Sequence, residues 1–388
     1  MTIFETSARS RQSASAPATR TLRERATYNR ATVEYGDPAI LQAIAEQYGH
    51  LFGPLRLFSS YLFLAGLANA LSVVLTFWLL PKYWHILPKD QGRAHAVNAE
   101  MSIGKPMGAG AIFVPIFAVV SLLVVPLQWP YLLVIACMVV AMYVGYLDDS
   151  TKGGWSEYAL GACDLVVSVL AAMAVCKLSG FDVWLPFVKA PLHIEPWLFV
   201  TGGSILIWVT INSTNATDGV DGLSGSLSAM ALVFLAALLY GVVGHKDVSA
   251  YLLLPHYVNG PAWAMLAFSM IGCLASYLWY NCNPSVVLMG DAGSRPIGLL
   301  LGVLVLASGN PFLVFVVATV VLVNGGTGLL KVALLRFFRI PIFRNVRYPL
   351  HDHMRKNLGW SNTQVLVRFM LLQAVGTPLL LMLLLKLR

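Results

Sequence analysis

Charged side chains are scarce in this sequence of 388 residues. Asp, Glu, Lys and Arg together make up 11% of the chain, whereas 57% of its residues are hydrophobic. A soluble domain usually carries about 25% charged residues, so the composition excludes a water-soluble globular enzyme of this size. It predicts an all-α, polytopic membrane protein, because long apolar runs are what bilayer-spanning helices require.

Cysteine pairs and the common short catalytic motifs are also missing. The five cysteines are scattered and form no C-x-x-C pair, which excludes a disulfide scaffold and argues against a zinc site. The sequence contains no P-loop, nucleophile elbow or zinc-protease helix. Its net charge is +8, without a nucleic-acid-binding motif. We therefore expect no nucleic-acid partner, but a charge bias toward one membrane face, contact with membrane lipids, and anionic ligands.

Ten apolar runs follow an Arg-rich N-terminal segment. We interpret residues 1–54 as a flexible N-terminal extension with a short helix within 38–52, and residues 55–388 as an integral membrane domain. A helix needs about 20 residues to cross the ~30 Å core of a bilayer. The sequence thus predicts about ten transmembrane helices. The runs are 55–80, 108–126, 130–147, 157–178, 197–212, 223–243, 261–280, 295–309, 311–331 and 363–386.

Clusters of polar residues follow the odd-numbered runs. Asp148 and Asp149 come after the third run, and residues 212–221 come after the fifth. Asp291 lies after the seventh run, and residues 351–353 lie after the ninth. Because alternate exits of a polytopic chain share one membrane face, the sequence predicts that these groups meet on the same side.

The distribution of basic residues predicts which side this is. Thirteen basic residues lie in the linkers of the polar face and five lie opposite, so the positive-inside rule makes the polar face cytoplasmic. The six Arg of residues 1–30 and Arg56 oppose this assignment, and the many short loops are given more weight. The thirteen are Lys82, Lys89, Arg93, Lys105, Lys152, Arg295, Lys331, Arg336, Arg339, Arg344, Arg347, Arg355 and Lys356; the five are Lys177, Lys189, Lys246, Lys386 and Arg388.

Two adjacent acids, Asp148 and Asp149, stand at a helix exit with Lys152 close behind. One interpretation is a helix end with solvated charges. The other is metal binding or acid–base chemistry on an anionic substrate, because like-charged neighbours raise each other's pKa and carboxylates suit Mg²⁺.

The segment at 212–223 repeats a polar group at every third position, with Asn212, Asn215, Asp218 and Asp221. At 100° per residue such a row drifts about 60° per step and winds around the end of a helix. Gly219 and Gly222 allow a ligand to approach the backbone closely. Recognition of a ribose or a base fits this pattern, and a polar loop between helices is the alternative.

Asp291 lies between Gly290 and Gly293 at a predicted helix start. Backbone N–H groups there can hold phosphate while the carboxylate holds a cation, although a simple turn has the same pattern. His351 and His353 lie in the most basic loop, which could meet anionic lipids or substrate phosphates. Asp164, inside the fourth run, is interpreted as a packed polar residue.

In combination these motifs resemble those of the polyprenyl-phosphate N-acetylhexosamine-1-phosphate transferases, over roughly residues 55–388. Residues 349–369, with a His-rich loop, Gly-Trp and Val-Arg-Phe, are similar to the branch that acts on phospho-N-acetylmuramoyl-pentapeptide. The other matching segments are 148–152 (DDSTK), 212–223 (NSTNATDGVDGL), 280–294 (YNCNPSVVLMGDAGS) and, more distantly, 104–110 (GKPMGAG).

The resemblance implies a ten-helix transferase of the bacterial inner membrane, with its active site facing the cytoplasm and a possible homodimeric assembly. It implies transfer of phospho-N-acetylmuramoyl-pentapeptide from UDP to undecaprenyl phosphate, which gives lipid I and UMP. By carry-over, Asp291 binds Mg²⁺, and Asp148 and Asp149 serve the lipid phosphate as a base or as electrostatic partners. The implied substrate-binding residues are Lys152, Asn212, Asn215, Asp218, Asp221, His351 and His353.

The sequence departs from the family pattern at two informative positions. Asp352 replaces the central His of a triplet, and Leu288 replaces an aromatic residue that could stack on uracil. Two alternatives remain open: the same chemistry with UDP-N-acetylglucosamine as donor, or a membrane transporter. The acids lie at the ends of the runs, whereas transporters place ionisable groups near the midplane.

Overall fold

The computed structural model describes residues 38–92, 102–179, 182–188 and 190–386. The predicted all-α class is confirmed, because the described strands are limited to one two-stranded hairpin. The predicted short helix within 38–52 is present at Ile40–Tyr48. Residues 1–37, which include most of the predicted extension, lie outside the described residues, as do Arg93, Lys189 and Arg388.

Fifteen α-helices and two strands make up the described chain. The strands β1 (Asp182–Val183) and β2 (Leu192–His193) pair antiparallel between α5 and α6. The helices are α1 Ile40–Tyr48, α2 Tyr61–Tyr83, α3 Gly110–Val124, α4 Trp129–Ser150, α5 Glu157–Ser179, α6 Pro196–Thr217, α7 Leu223–Leu238, α8 Lys246–Tyr251, α9 Gly260–Asn281, α10 Asp291–Ala307, α11 Val314–Val317, α12 Thr319–Val321, α13 Thr327–Phe338, α14 Leu350–Leu358 and α15 Asn362–Lys386. Short 3₁₀ helices occupy Gly53–Ser59, Trp84–Ile86 and Pro311–Leu313, and π-helical turns occupy Leu239–Val243 and Leu322–Gly326.

Eight segments of the described chain are long and apolar enough to cross a membrane. The remaining two predicted spans are the 15-residue α3 and the 17-residue α10. Helix α10 rises only about 26 Å, and all of its residues are buried because α3, α4, α5, α6, α7 and α9 pack around it. A helix that is surrounded by other helices does not have to match the thickness of the lipid. The first residue of this buried helix, α10, is Asp291.

Small residues allow α10 to approach its neighbours at backbone distance. A Cβ atom at Gly298 would lie 2.6 Å from the Cα of Ile211, and one at Gly302 would lie 2.8 Å from the Cα of Ile207. Both contacts are with α6, whose C-terminal end carries the Asn212 motif. Close packing through small residues is typical of helix pairs in membranes, and here it joins two predicted site elements rigidly.

The ninth predicted span, 311–331, is interrupted and extends further than predicted, to Phe338. It consists of a 3₁₀ turn, α11, α12, a π-helical turn and α13. At the first break, the side chain of Gln373 in α15 accepts a hydrogen bond from Val320 N at 3.0 Å and donates one to Val317 O. Unpaired backbone groups are costly within a bilayer, so a partner on another helix stabilises a break that the hydrophobic pattern does not reveal.

Helix α13, which follows the π-helical turn, carries apolar residues that the rest of the described protein leaves at least half exposed. Leu330, Leu335 and Phe337 are 51%, 52% and 74% exposed. In the longer segment Thr319–Phe338, which ends with α13, only 22% of the most hydrophobic stretch is buried. The apolar surface of α13 is therefore suited to contact with lipid.

Candidate active site

Three predicted acids converge at one end of the helix bundle. Asp148 and Asp149 lie in the last turn of α4, and Asp291 is the first residue of α10. Each offers a carboxylate oxygen, and these oxygens lie within 4.8 Å of one another. Among the described residues, this is the one group of three or more His, Cys, Asp or Glu side chains close enough to share a metal ion. The predicted convergence of the third and seventh exits is therefore present.

The N-terminus of α10 holds the carboxylate of Asp149. The backbone N–H groups of Asp291 and Ala292 donate to its two oxygens, each at 3.1 Å. The first N–H groups of a helix have no partner within the helix and favour an anion. Asp149 is only 5% exposed, so it acts as a buried cap that fixes α10 against α4.

Two glycines make this close approach possible. Gly290 has a φ of +67°, and a Cβ atom there would lie 2.3 Å from Oδ2 of Asp149. A Cβ atom at Gly145 would lie 2.4 Å from the carbonyl carbon of Asp291. Any larger residue at either position would push α10 away from the acids of α4.

Asp148 lies in a more open environment than Asp149. Its Oδ1 accepts a 2.6 Å hydrogen bond from the backbone N–H of Trp155, in the turn that follows α4. Gly154 supplies the left-handed conformation of this turn, with a φ of +69°. Lys152 is exposed in the same turn. Asp148 is therefore an accessible member of the cluster.

A buried arginine links Asp291 to a fourth acid. Arg295 Nε and Nη2 donate to Oδ2 of Asp291 at 3.0 and 2.7 Å, and Nη1 donates to Oδ2 of Asp164 at 2.5 Å. The sequence analysis predicted that Arg295 is one of the basic residues in the linkers of the polar face. That placement was wrong, because Arg295 lies inside α10, is 4% exposed and is neutralised by two acids.

The residues of the Asn212 motif reach three different neighbours, as expected for a row that winds around a helix end. Asn212 donates to Oδ2 of Asp164 in α5 at 3.4 Å, and Asn215 donates to Oγ of Ser294 in α10 at 3.2 Å. Asp218 caps the C-terminal end of α6. The motif thus connects α6 to both helices that carry the buried charges.

Asp221 joins the motif to the segment before α10. Its Oδ2 accepts from Asn283 Nδ2 at 3.0 Å and its Oδ1 accepts from Ser285 Oγ at 2.8 Å. Lys105 Nζ donates to the same Ser285 Oγ at 3.1 Å. Residues 104–110 resemble the family motif only distantly. The structure nevertheless places Lys105 of this segment in contact with Ser285, in the segment that leads to Asp291.

His351 is buried at the start of α14. Nδ2 of Asn324, in the π-helical turn, lies 3.1 Å from Nδ1 of His351. Oδ1 of Asn324 accepts a 2.8 Å hydrogen bond from the backbone N–H of His351. A Cβ atom at Gly219 would lie 2.4 Å from Nε2 of His351, so the imidazole packs directly on the Asn212 motif. Burial, reinforced by the positive charge of Arg355, lowers the pKa of His351 to about 3. The imidazole is therefore neutral at physiological pH.

His353 and the basic residues lie further out. His353 Nδ1 accepts from the backbone N–H of Arg347 at 3.3 Å, which fixes the loop before α14. The described metal-ligand group does not include either histidine. Basic side chains line a surface cleft of about 380 Å³. They are Lys331, Arg344, Arg347 and Lys356.

Several residues of this site were not assigned to it from the sequence. Asp164 is packed, as predicted, but it packs on Arg295 beside the acidic cluster. Asn324 lies in none of the matching segments, and Ser285 lies within the 280–294 segment but was given no role. Burying an unpaired Arg or Asp inside a membrane helix costs free energy. The presence of both residue types in apolar runs was therefore the signal that could have predicted the Arg295–Asp164 pair.

The acidic cluster fits a hard divalent cation. Carboxylate oxygens are the ligands that Mg²⁺ prefers, and three carboxylates within 4.8 Å concentrate negative charge at one point. Residues that would hold the ion are Asp291 and Asp148, with Asp149 beside them. The cluster can thus bind a cation where two phosphate groups would otherwise repel each other.

Comparisons with known proteins agree with this chemistry. The family model described as "Glycosyl transferase family 4" matches residues 131–309. A phospho-N-acetylmuramoyl-pentapeptide-transferase of Treponema pallidum is 47% identical over 340 residues, which cover 87% of this chain and 94% of that relative. Relatives of the same name from Helicobacter acinonychis and Nautilia profundicola are 31% and 29% identical, over 85% and 86% of this chain and 96% and 97% of their own. The chain therefore belongs to the phospho-N-acetylmuramoyl-pentapeptide-transferase family, a group of membrane phosphoglycosyl transferases.

Proposed function

We propose that this protein transfers phospho-N-acetylmuramoyl-pentapeptide from its UDP carrier to undecaprenyl phosphate, giving lipid I and UMP for peptidoglycan synthesis. The observation that carries the proposal is the convergence of Asp148, Asp149 and Asp291 at the end of a membrane helix bundle. An anionic acceptor and a diphosphate donor repel each other, and a shared divalent cation between carboxylates overcomes that repulsion. Family membership makes the chain an enzyme, which removes the transporter alternative.

Mg²⁺ is the proposed cofactor, held by Asp291 and supported by Asp148. A bound Mg²⁺ would supply Lewis-acid polarisation of the donor diphosphate and stabilisation of the charge on the leaving UMP. The buried contact between Asp149 and the N-terminus of α10 keeps Asp291 in a fixed position before any substrate binds. Such pre-organisation lowers the cost of reaching the reactive geometry.

We assign different roles to the two adjacent acids of α4. Asp149 is 5% exposed and accepts two backbone hydrogen bonds, so it orients the helices. Asp148 is partly exposed, so it is the acid that an acceptor phosphate reaches. In this proposal Asp148 takes the acceptor's proton or holds its phosphate in place, and Lys152 in the next turn attracts the phosphate.

The nucleotide side of the site is proposed to lie on the Asn212 motif and α14. Asp218 and Asp221 follow α6, and His351 packs on the glycine between them. A neutral imidazole can donate or accept a hydrogen bond without adding charge, which suits a uridine rather than a phosphate. Asn212, Asn215 and His353 support these groups through α5, α10 and the loop before α14.

We place the enzyme in the bacterial plasma membrane with this site on the cytoplasmic side. The support is the excess of basic residues in the linkers of the polar face, and the cytoplasmic origin of nucleotide-linked donors. Removing the buried Arg295 from that count leaves the excess intact. A homodimeric assembly stays a prediction of the resemblance.

The test is UMP release by the purified protein in detergent, with UDP-N-acetylmuramoyl-pentapeptide, undecaprenyl phosphate and Mg²⁺. Asp291→Ala should abolish Mg²⁺-dependent release, by on the order of 1,000-fold or more. Asp247→Ala, which changes an exposed acid at the start of α8, is the matched control and should leave release unchanged. Full activity of Asp291→Ala would refute the proposal.

A donor competition separates the proposal from its nearest alternative. Equal concentrations of UDP-N-acetylmuramoyl-pentapeptide and UDP-N-acetylglucosamine are offered to the wild-type protein, and the lipid products are resolved by mass. We expect the muramoyl product. Formation of the N-acetylglucosamine product alone would assign the protein to the smaller donor.

A further inference from the structure

A line of buried charges runs from α5 into the first turn of α10. Arg295 lies between Asp164 and Asp291, and the three residues are 4%, 1% and 5% exposed, in that order. Both ion pairs are short, at 2.5 Å to Asp164 and 2.7 Å to Asp291. Buried ion pairs of this kind are expensive to desolvate and contribute little net stability, so stability alone does not account for them.

The guanidinium is fixed from both sides. Two of its nitrogens, Nε and Nη2, converge on the single oxygen Oδ2 of Asp291, four residues earlier on α10. The third nitrogen, Nη1, donates to Oδ2 of Asp164. This Oδ2 also accepts a hydrogen bond from Asn212 Nδ2 at 3.4 Å. Arginine presents its donors in a rigid planar fork, so the position of the fork determines the position of the Asp291 carboxylate.

Charge is balanced across the same three groups. Asp291 lies within a cluster of three carboxylates, where an additional positive charge reduces mutual repulsion. Asp164 in turn compensates the guanidinium within the bundle. Ionised together, the two acids and Arg295 carry one net negative charge, the same charge that Asp291 would carry alone.

We propose that Arg295 is a positioning residue for the transfer reaction: anchored by Asp164, it holds Asp291 by one oxygen in the orientation that the reaction requires. Arg295 touches neither substrate in this proposal, and Asp164 acts only through Arg295. The inference rests on the proposed function for its kinetic test, and on the metal-binding role of Asp291 for its spectroscopic test.

A charge-balanced pair of substitutions tests this role. The double variant Asp164→Asn with Arg295→Met keeps one net negative charge in the line but removes the guanidinium. We expect kcat to fall about 100-fold, as for a reacting group displaced by about 1 Å, while KM for each substrate stays within about threefold. Arg295→Lys, which keeps the charge but offers a single ammonium in place of the fork, should lose about tenfold in kcat.

The matched control is Asp182→Asn. It makes the same chemical change in an exposed ion pair with His193 in the β-hairpin, at 2.9 Å. It should leave kcat, KM and cation binding unchanged. If the double variant fails to fold, Arg295→Lys alone carries the kinetic test.

Mn²⁺ titration followed by electron paramagnetic resonance supplies a readout that needs no turnover. Affinity for Mn²⁺ should stay within about threefold in the double variant, because the net charge of the three groups is unchanged. The zero-field splitting of the bound ion should change, because the Asp291 carboxylate is no longer held. An identical Mn²⁺ spectrum, or kcat within about threefold of wild type, would overturn the proposal.

Two further outcomes are decisive. If kcat and Mn²⁺ affinity fall together by more than about tenfold, Arg295 controls binding rather than orientation, and the positioning role is wrong. If the wild-type protein forms no lipid product from the muramoyl donor, the proposed function fails. In that case the Mn²⁺ spectra alone decide on Arg295.

Discussion

The acidic cluster and the segment around His351 are held in place by different kinds of contact. The carboxylate of Asp149 is fixed by backbone N–H groups of α10, and glycines allow the backbones of α4 and α10 to touch. His351, by contrast, is held by one side chain, Asn324, in a π-helical turn that is itself an interruption. His351 also packs on Gly219 of the Asn212 motif.

The difference shows which part of the site is built in advance. Backbone contacts cannot rotate away, so the position of the Asp149 carboxylate against the first turn of α10 is set when the helices assemble. Contacts that depend on one amide and one imidazole can be changed by pH or by a single substitution without disturbing the bundle. Four predictions test this contrast, from the largest expected effect to the smallest.

Gly145→Ala should be the most damaging change. Its Cβ atom would lie 2.4 Å from the carbonyl carbon of Asp291, so α4 and α10 must separate. Overpacking of this kind costs about 1–3 kcal/mol in stability, and displacement of Asp291 should lower UMP release by about 100-fold or more. Gly66→Ala in α2, where nothing lies within 4 Å, is the control for both assays. Equal activity of the two variants would show that the close approach is unimportant.

Asn324→Ala removes both side-chain contacts to His351. The loss of two hydrogen bonds to buried groups should reduce the free energy of unfolding by about 2–3 kcal/mol. KM for the nucleotide donor should rise, while Mn²⁺ binding at the acids stays unchanged. Thermal unfolding and donor kinetics measure the two effects. A loss of Mn²⁺ binding would mean that the two regions are not independent.

Acidification should loosen the His351 segment. The pKa of His351 is lowered to about 3 in the folded state, against an ordinary value near 6.5. The unfolded chain therefore takes up a proton more readily, so the stabilising contribution is complete above pH 6.5 and declines as the pH falls toward 3. Between pH 7 and pH 5 the loss should be about 2 kcal/mol. The variant His351→Gln should not show this pH-dependent decline in unfolding experiments.

Asp352→Asn should have the smallest effect. Asp352 lies 3.6 Å from Arg355 and 3.9 Å from Arg347, and burial raises its pKa in spite of these cations. Ion pairs this long contribute less than about 1 kcal/mol. Donor KM should change by less than about threefold. A larger change would mean that Asp352, where the family pattern has His, takes part in donor binding.

The sequence was sufficient for the class of fold and for the convergence of the acids. Apolar runs predicted the helices, and the parity of their exits predicted that Asp148, Asp149 and Asp291 lie on one face. Helix boundaries differed by a few residues, as at α4, which continues to Ser150. These features are local, since each depends on hydrophobicity along one stretch of chain.

Features that depend on packing between distant stretches were out of reach. Arg295 looked like a loop cation because its partner Asp164 lies 131 residues away. The breaks in the ninth span depend on Gln373, which belongs to another helix. Similarly, Asn324 has a role only because the chain returns to bring His351 beside it. No periodicity along the chain encodes such partnerships.

The uncovered apolar side of α13 has a mechanical consequence. This helix begins directly after the turn that carries Asn324, and its Leu335 and Phe337 are 52% and 74% exposed, which suits them to contact with acyl chains. A thinner or thicker bilayer would change the tilt of α13. That change would shift Asn324, whose side-chain amide holds the imidazole of His351 in place. We therefore expect donor affinity to vary with acyl-chain length in reconstituted membranes, while Mn²⁺ affinity at the acids does not.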